Sequence, residues 1–465
     1  MYDFCIIGGG AVGCAVAREL TRYKASVVVA EAALDVGTGA SGANSGIVHS
    51  GYDPLPGTLM AKYNVRGADM FRTYAAALQV PYKRTGSLTV ATTREEAARL
   101  PELLARGEKN GVKGLKIVSA EEAHALEPLL ADSVVSALFA PTAAIVDPFD
   151  LVFALRENAQ ANGAEFRLGF AVRAAERDNG ITLISESGDR IKAVRIINCA
   201  GNNGGDVARI LGDLIYLRHR AGEYLMFDKL PFVRMPVFGM PSERGKGVLV
   251  APTTDGNFFV GPTSVECSRD GRVMRRESFA ELLAAAGKTV KGLPADKRIT
   301  SFAGVRALSQ TGDFVIGPGR TDPNVFHVIG IGSPGLTSVP AIAMSVARRF
   351  GLEPRKDFSP ARRHIRTFAD RTNAEKNALI ASDKRYGNVV CMCNCVTEAE
   401  VVEAIARGAR TVDGVKKRVH AGMGRCQGGM CETRIIDILS RELGIPRSSV
   451  LKDVPGSNIC TEGAL

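Results

Sequence analysis

The residues of this chain that are best suited to metal chemistry are two close pairs of cysteines near its C-terminal end. Cys391 and Cys393 are separated by one residue, and Cys426 and Cys431 enclose only the short segment 427–430. Thiolates at such spacing are the ligands that zinc ions and iron–sulfur clusters use in proteins. The pattern therefore predicts a metal centre, and the residues alone leave both kinds of metal open.

A second set of candidate residues lies at the N-terminus, where glycines follow a short apolar stretch. Gly8, Gly10 and Gly13 match the pattern G-x-G-x-x-G. Glycine at these positions permits a tight turn, close approach of a pyrophosphate to the backbone and close packing of a helix on a strand. The N–H groups of the first helical turn, at Ala11 and Val12, would then face the phosphates.

These glycines require a strand before them and a helix after them. Segment 2–7 is an apolar strand, and a helical pattern follows Gly10. A second apolar strand, 25–30, ends at Glu31, close to the spacing of about 20 residues at which an acid binds the 2′-hydroxyl of a ribose. A carboxylate there would repel a 2′-phosphate. The sequence therefore predicts a bound dinucleotide, and these residues do not separate FAD from NAD.

Composition limits the fold class and the compartment. A chain of 465 residues with 45% hydrophobic residues and 50 glycines fits an α/β enzyme of two or three domains. We expect no transmembrane segment, because no apolar run approaches the roughly 20 residues that span a bilayer. The apolar start lacks the basic leader of a signal peptide. We therefore expect a cytoplasmic protein, which a partner could hold at a membrane surface, and ten cysteines that serve as metal ligands or buried thiols.

The formal net charge of +10 limits the partners. Lys and Arg are scattered along the chain, without a basic stripe that carries aromatic residues. We therefore expect no binding of nucleic acid. An anionic substrate or an acidic protein partner is the better explanation of the charge.

Segment 36–62 carries a family resemblance. The small-residue run Gly37–Gly46 is followed by Ile47-Val48-His49-Ser50-Gly51. The run resembles the loop of the FAD-dependent D-amino-acid oxidase superfamily that passes beside the flavin, and the Asn-Ser-Gly-Ile-Val-His-Ser-Gly form is similar to its glycerol-3-phosphate dehydrogenase and L-2-hydroxyglutarate dehydrogenase branch. The resemblance implies FAD as the cofactor. It implies cofactor contacts at Ser41, Asn44, Ser45 and Gly46. It also places His49 and Ser50 near the reactive ring, with Ser50 as a substrate contact.

Two motifs in the middle of the chain extend the resemblance. The turn Asn198-Cys199-Ala200-Gly201 resembles the strand end that meets the adenosine half of FAD, which implies contacts from Ala200 and Gly201. The segment 220–227 resembles a strand beside the flavin, which implies that Tyr224 contacts the substrate.

Two later motifs complete the resemblance. In Ala303-Gly304-Val305-Arg306, the family's arginine binds a substrate carboxylate or phosphate, and a guanidinium offers a rigid, permanently charged fork for either. The segment 332–337 resembles the second FAD motif, a helix start whose dipole stabilises the reduced ring. The resemblance implies cofactor contacts there from Gly332, Gly335, Leu336 and Thr337.

The cysteine-rich segment resembles a different domain. A capping box at Thr397 predicts a helix that ends at Gly408, and Thr411 is expected to cap another through Val419. C-x-C, two short helices and then G-M-G-R-C-Q-G-G-x-C is similar to the [2Fe–2S] domain named after bacterioferritin-associated ferredoxin. Such a domain also follows the flavin domain in anaerobic-type glycerol-3-phosphate dehydrogenases. The resemblance implies Cys391, Cys393, Cys426 and Cys431 as ligands, with structural zinc as the alternative, while Cys395 is an extra thiol that we expect to pack locally.

The expected architecture is α/β: a Rossmann-like FAD-binding domain, an interleaved α+β substrate domain and a small C-terminal helical [2Fe–2S] domain. We assign 1–80, 145–213 and 301–352 to the FAD domain, 81–144 and 214–300 to the substrate domain, and 386–455 to the cluster domain. Between them, 353–385 is strongly basic with little apolar periodicity, which predicts a linker along the surface.

The resemblance implies a dehydrogenase for a small anionic 2-hydroxy substrate, with glycerol-3-phosphate favoured and dihydroxyacetone phosphate as product. Arg306 would hold the anion while His49 removes the hydroxyl proton, since imidazole titrates near neutrality. Hydride would pass to flavin N5, and electrons would leave through the cluster to a redox partner protein. The alternatives are an L-2-hydroxyglutarate dehydrogenase, an amino-acid or opine dehydrogenase, or, in another class, an electron-transfer flavoprotein subunit.

Overall fold

The computed structural model describes residues 1–241, 247–365 and 367–461. Their strands are β1 (Tyr2–Ile7), β2 (Val27–Glu31), β3 (Ile47–Val48), β4 (Tyr82–Arg84), β5 (Ser87–Ala91), β6 (Lys116–Ser119), β7 (Ser136–Ala140), β8 (Ala144–Val146), β9 (Glu165–Leu168), β10 (Val172–Arg177), β11 (Ile181–Ser185), β12 (Arg190–Asn198), β13 (Leu217–Phe227), β14 (Val237–Phe238), β15 (Leu249–Pro252), β16 (Phe258–Gly261), β17 (Val265–Glu266), β18 (Arg298–Ser309), β19 (Val315–Pro318), β20 (Val325–Ile329), β21 (Val389–Cys391) and β22 (Val396–Thr397).

The α-helices of the same residues are α1 (Ala11–Leu20), α2 (Leu59–Leu78), α3 (Arg94–Ala97), α4 (Leu100–Lys109), α5 (Ala120–Leu126), α6 (Pro148–Ala161), α7 (Gly204–Ile210), α8 (Glu277–Gly287), α9 (Gly335–Arg349), α10 (Asn373–Ser382), α11 (Glu398–Ala406), α12 (Val412–Val419) and α13 (Glu432–Leu443). Among the described residues, none of these helices has the length and apolarity needed to cross a membrane.

The first sheet has a parallel centre. Its strands stand in the order β9-β2-β1-β12-β20, each parallel to its neighbour. Antiparallel strands β11 and β10 continue from β12, and β19 pairs with β20. Helices α1, α6 and α9 pack together on one face. This is the Rossmann-like layer that the sequence predicted, and in such sheets ligands bind at the carboxyl ends of the strands.

The second sheet is mainly antiparallel. It runs β17-β13-β16-β15-β14-β5-β7-β6, with β18 paired along β13, and only β14 and β5 are parallel. Its own apolar core includes Leu88, Phe227, Phe258 and Leu282. The expected α+β substrate domain is therefore built from two separate stretches of chain. Strand β18 runs from one expected domain into the next, since it spans the boundary placed between 300 and 301.

The cluster-binding region forms a third core from α11, α12 and α13. Its helix starts follow the local signals: Thr397 and Glu400 form a capping box, and the Thr411 side chain accepts from the Gly414 N–H. Cys395 has positive φ and packs against a small cluster that includes Phe368, as expected for a local packing role.

The charged pattern of segment 94–110 predicts one solvent-exposed helix, and this expectation was wrong. The segment forms the two helices α3 and α4, because Pro101 in the first turn of α4 lacks an N–H and cannot continue α3. The linker 353–385 contains α10, which a capping box of Thr372 and Glu375 starts. All residues of α10 remain accessible to solvent, so the helix has no buried apolar face from which periodicity could reveal it.

Candidate active site and cluster site

The glycine turn after β1 is packed more tightly than any side chain would allow. A Cβ on Gly13 would lie 1.9 Å from the Gly8 carbonyl oxygen, and one on Gly8 would lie 2.5 Å from the Cys199 oxygen. Gly8 also has φ of +106°, which disfavours L side chains. The turn, α1 and the end of β12 therefore meet backbone to backbone, as a pyrophosphate-binding turn requires.

Glu31 lies at the carboxyl end of β2, directly beside this turn. Its carboxylate accepts hydrogen bonds from the N–H of Gly9 and, at 2.8 Å, of Ala33. Burial raises the pKa of Glu31, and these two N–H donors offset part of the increase. The position and the bonds fit an acid that is held rigidly for a ribose hydroxyl.

The small-residue loop, residues 37–51, crosses the start of α1. The hydroxyl of Ser41 accepts from the Ala11 N–H at 2.9 Å, so this N–H, expected to face a phosphate, is paired within the protein here. Asn44 donates to the Ser41 carbonyl at 2.8 Å and accepts from the Gly46 N–H at 2.8 Å. The loop is therefore held in one conformation by its own side chains.

A cavity of about 120 Å³ lies between this loop, α1, β13, β18 and the start of α9. It gathers residues that are far apart in sequence and that the sequence had singled out. The predicted residues in its lining are Ala11, Val12, Ser41, Asn44, Ser45, His49, Tyr224, Arg306, Gly332, Gly335 and Leu336. The motif-based prediction and the geometry thus agree on one location.

Arg306 reaches this cavity from β18. Its Nη2 donates to the Thr263 carbonyl at 3.2 Å, while its Nε is buried and has no hydrogen-bond partner among the described residues. Arg306 itself is half-buried, and its Nη2 partner is an uncharged carbonyl. A buried guanidinium N–H without an acceptor is costly, and an anion in the cavity could compensate the charge of this side chain.

Tyr224 shares a sheet face with Arg306. The β13–β18 register places Tyr224 opposite Phe302 and Gly222 opposite Gly304, with Arg306 two residues further along. Tyr224 is buried and stacks on Phe302 with ring centroids 4.8 Å apart. Burial raises the pKa of Tyr224, and the Arg306 charge lowers it in part. At neutral pH it is therefore an uncharged hydroxyl on the cavity wall.

His49 is positioned by its backbone. Its N–H donates to the Thr337 hydroxyl at 2.9 Å, and its carbonyl accepts from the Asn64 amide at 2.7 Å. The imidazole lies 5.9 Å from the Phe238 ring, measured between centroids. Ser50 is buried, its hydroxyl has no hydrogen-bond partner within the described chain, and it does not line the cavity. A substrate contact from Ser50 stays a prediction.

The remaining predicted cofactor residues surround the cavity without lining it. Ala200 lies against the glycine turn, since a Cβ on Gly8 would be 3.0 Å from its Cα. Gly201 follows it and begins a short 3₁₀ turn. Thr337 is buried, and Gly46 lines a second cavity on the other side of the loop.

The sequence did not single out other parts of this site. Ile331, Ser333 and Pro334 line the cavity between predicted residues, and the Ser-Pro-Gly turn was the available signal for them. A Cβ on Gly304 would lie only 2.1 Å from the Ala43 oxygen. No local pattern announces such a contact between distant segments.

The four predicted cysteine ligands come together at the start of α13. Cys393 and Cys426 are 3.7 Å apart, sulfur to sulfur, and Cys391 and Cys431 hydrogen-bond each other. Cys391 and Cys431 are buried, whereas Cys393 is exposed. Two close thiol pairs that also interact electrostatically with each other, with one side open, fit a small cluster near the surface that can exchange electrons.

Backbone N–H groups point at two of these sulfurs. The hydrogen bond from Cys431 does most to lower the pKa of Cys391 to about 5; burial opposes it, and N–H donors such as that of Gly422 add to it. The N–H of Met430 contributes most to lowering the pKa of Cys426. Both shifts favour the thiolate form that binds metal, and N–H donors to sulfur are among the factors that set cluster potentials.

The glycine turn, the acid at its side, the cavity and the four thiols are together typical of a flavoprotein oxidoreductase with an attached iron–sulfur domain. The chain belongs to the FAD-dependent oxidoreductase family (DAO), which matches residues 3–349. A BFD-like [2Fe-2S] binding domain matches residues 389–441. The protein therefore uses FAD and a [2Fe–2S] cluster, and zinc is no longer the alternative.

Particular relatives refine this class. The chain is 40% identical to the glycerol 3-phosphate dehydrogenase of Caloramator mitchellensis over 99% of this chain and 98% of that one. It is 31% identical to the mitochondrial L-2-hydroxyglutarate dehydrogenase of Arabidopsis thaliana, over 75% of this chain and 83% of that one. Among solved structures, FAD-bound L-alpha-glycerophosphate oxidase from Mycoplasma pneumoniae superposes with a TM-score of 0.74 at 30% identity, covering 78% of this chain and 98% of that one.

Proposed function

We propose that the protein oxidises glycerol-3-phosphate to dihydroxyacetone phosphate. The observation that carries this proposal is that Arg306 and His49 line the same cavity, while the Nε of Arg306 lacks a hydrogen-bond partner among the described residues. A phosphate supplies the acceptors that this guanidinium lacks. The whole-chain similarity to a glycerol 3-phosphate dehydrogenase supports the same substrate.

His49 and Arg306 are the proposed catalytic residues. Arg306 binds the phosphate and orients the secondary hydroxyl, with Tyr224 as a further contact on the same wall. The His49 imidazole takes the hydroxyl proton while the substrate carbon loses hydride. FAD, when bound, supplies the hydride acceptor. Closure of the cavity by β13 and β18 excludes water from this step.

The cofactor contacts remain proposals with distinct roles. The glycine turn and Glu31 would hold the pyrophosphate and the ribose, with Ala200 and Gly201 beside the adenosine half. The loop residues and the start of α9 would hold the flavin ring. We further propose the predicted domain boundaries as the functional division of the chain, with α10 inside the linker.

The [2Fe–2S] cluster supplies one-electron transfer, which supports a dehydrogenase rather than an oxidase that reacts directly with oxygen. Exposure of Cys393 leaves one side of the cluster site open to an acceptor. We propose a redox partner protein that binds there. A cytoplasmic location stays a prediction.

A second candidate substrate is L-2-hydroxyglutarate, because the fork of Arg306 fits a carboxylate as well as a phosphate. Anaerobic addition of each compound to the purified protein separates the two. We expect glycerol-3-phosphate to bleach the flavin absorption band and to produce the EPR signal of a reduced cluster. Bleaching by L-2-hydroxyglutarate or an amino acid alone would refute the assigned substrate. If no compound reduces the flavin, the electron-transfer subunit becomes the better explanation.

A further inference from the structure

His420 is a contact point between three parts of the molecule. It follows α12 in the cluster domain and has φ of 58°. Its Nε2 lies 3.2 Å from Asp147, which begins α6 in the FAD domain, and its Nδ1 lies 3.5 Å from Asp255 in the β15–β16 turn of the substrate domain. The ring also meets Phe149 edge-on, with centroids 6.5 Å apart. One side chain thus bridges both other domains.

The three side chains could be mistaken for a metal site, since their ligand atoms lie within 4.8 Å of one another. Both imidazole nitrogens, however, face carboxylates at ion-pair distance, which favours the doubly protonated ring, and a doubly protonated ring has no lone pair for a metal. Burial alone would lower the pKa of His420, but Asp147 and then Asp255 outweigh it and raise the pKa well above its usual value. The group of His420, Asp147 and Asp255 is therefore an ion-pair contact.

The backbone of His420 connects this contact to the cysteine loops. Its carbonyl accepts from the Asn394 amide at 2.7 Å, and Asn394 directly follows the ligand Cys393. Two residues after His420, the Gly422 N–H donates to the Cys391 sulfur. A shift of His420 would therefore move groups that hold the cluster.

His420 also lies beside the space between the two redox sites. A cavity of about 360 Å³ is bounded on one side by the small-residue loop, at residues 42–46, and on the other by Met423 and Gln427. His420 and its two carboxylate partners line the same cavity. Their contact helps to set the separation between the flavin loop and the segment that carries Cys426.

We propose that His420 is a positioning residue for electron transfer from flavin to cluster, an inference that rests on the proposed function. Its ion pairs with Asp147 and Asp255 hold the cluster loops against the FAD and substrate domains. Oxidation of each substrate molecule releases two electrons, and a [2Fe–2S] cluster held by the four cysteines would supply one-electron transfer from the flavin to the partner. The positioning residue therefore acts on the second half of the reaction and leaves flavin reduction unchanged.

The test is anaerobic stopped-flow spectroscopy of the full-length holoenzyme with glycerol-3-phosphate, followed by freeze-quench EPR of the cluster. For His420→Gln we expect flavin reduction at the wild-type rate and cluster reduction slowed about 10- to 100-fold, the range that corresponds to loss of a hydrogen bond between charged groups in the docked arrangement. Asp255→Asn, which changes no residue of the cluster domain, should slow the same step, while Asp255→Glu should retain the rate. Lys291→Gln breaks the exposed pair with Asp132 and should change neither rate.

A double-mutant cycle gives a second criterion. His420→Gln and Asp255→Asn should be non-additive, because both remove the same contact. Wild-type cluster reduction in His420→Gln with full iron and FAD content would overturn the inference. If His420→Gln loses its cluster, wild-type cluster reduction in Asp255→Asn would overturn it equally. If glycerol-3-phosphate fails to reduce the flavin even in the wild type, the proposed function fails, and photoreduction of the flavin still tests the positioning role.

Discussion

Gly304 lies where β18 passes closest to the small-residue loop, so Gly304→Ala tests whether this contact shapes the FAD site. The added Cβ would lie 2.1 Å from the Ala43 oxygen and 3.0 Å from the Ala43 Cβ. Ordinary contacts of a Cβ begin near 3.4 Å. The strand and the loop would therefore have to separate by about 1 Å, and overpacking of this kind costs roughly 1–3 kcal/mol.

The loop cannot move away without changing the cavity that it lines. If the whole cost falls on the FAD-bound state, the affinity for FAD should fall about 5- to 150-fold. Titration of the apoprotein with FAD, followed by quenching of flavin fluorescence, measures this directly. Gly317→Ala in β19 is the control, because no atom lies within 4 Å of its added Cβ. FAD affinity in Gly304→Ala equal to that of the control would refute the reasoning.

Three further predictions concern the anion site, the cluster and acid stability. Arg306→Gln should raise KM for glycerol-3-phosphate about 10- to 100-fold, from the loss of a charged hydrogen bond, and an unchanged KM in steady-state assays would contradict this role. Cys393→Ser should abolish the cluster EPR signal, whereas the neighbouring Cys395→Ser should keep it. Burial raises the pKa of Asp213, but hydrogen bonds, chiefly from His327, lower it to about 2. The contribution of the Asp213 carboxylate to the free energy of unfolding is therefore complete above pH ~4 and is lost as the pH falls through about 2. Thermal unfolding of Asp213→Asn, followed as a function of pH, should lack this acid-dependent loss.

The glycine turn, the carboxylate of Glu31 beside it and the two cysteine pairs could all be recognised from the sequence alone. Each depends on short-range geometry: a turn that only glycine permits, a strand end, or two thiols with one or four residues between them. Capping residues such as Thr411 likewise act within one helical turn. Patterns that depend only on neighbouring residues can be recognised wherever they occur in a sequence.

Helix α10 was not predicted, although the sequence contains the residues that start it. Thr372 and Glu375 form its capping box, yet none of its residues is buried. Apolar periodicity reports burial, so a helix on the surface leaves no such pattern. The strongly basic composition of 353–385 therefore predicts a linker along the surface and gives no indication of the helix inside it.

The sequence by itself determined the glycine turn after β1, the two cysteine pairs and, through its resemblance, the family. Only the tertiary structure decided that Gly304 touches Ala43, that the Nε of Arg306 is buried without a partner in the described chain, and that His420 meets Asp147 and Asp255. The physical reason is the sequence distance over which the interactions act. Turns, caps and ligand pairs are specified by neighbours along the chain, whereas these contacts join segments whose proximity depends on sheet register and domain packing.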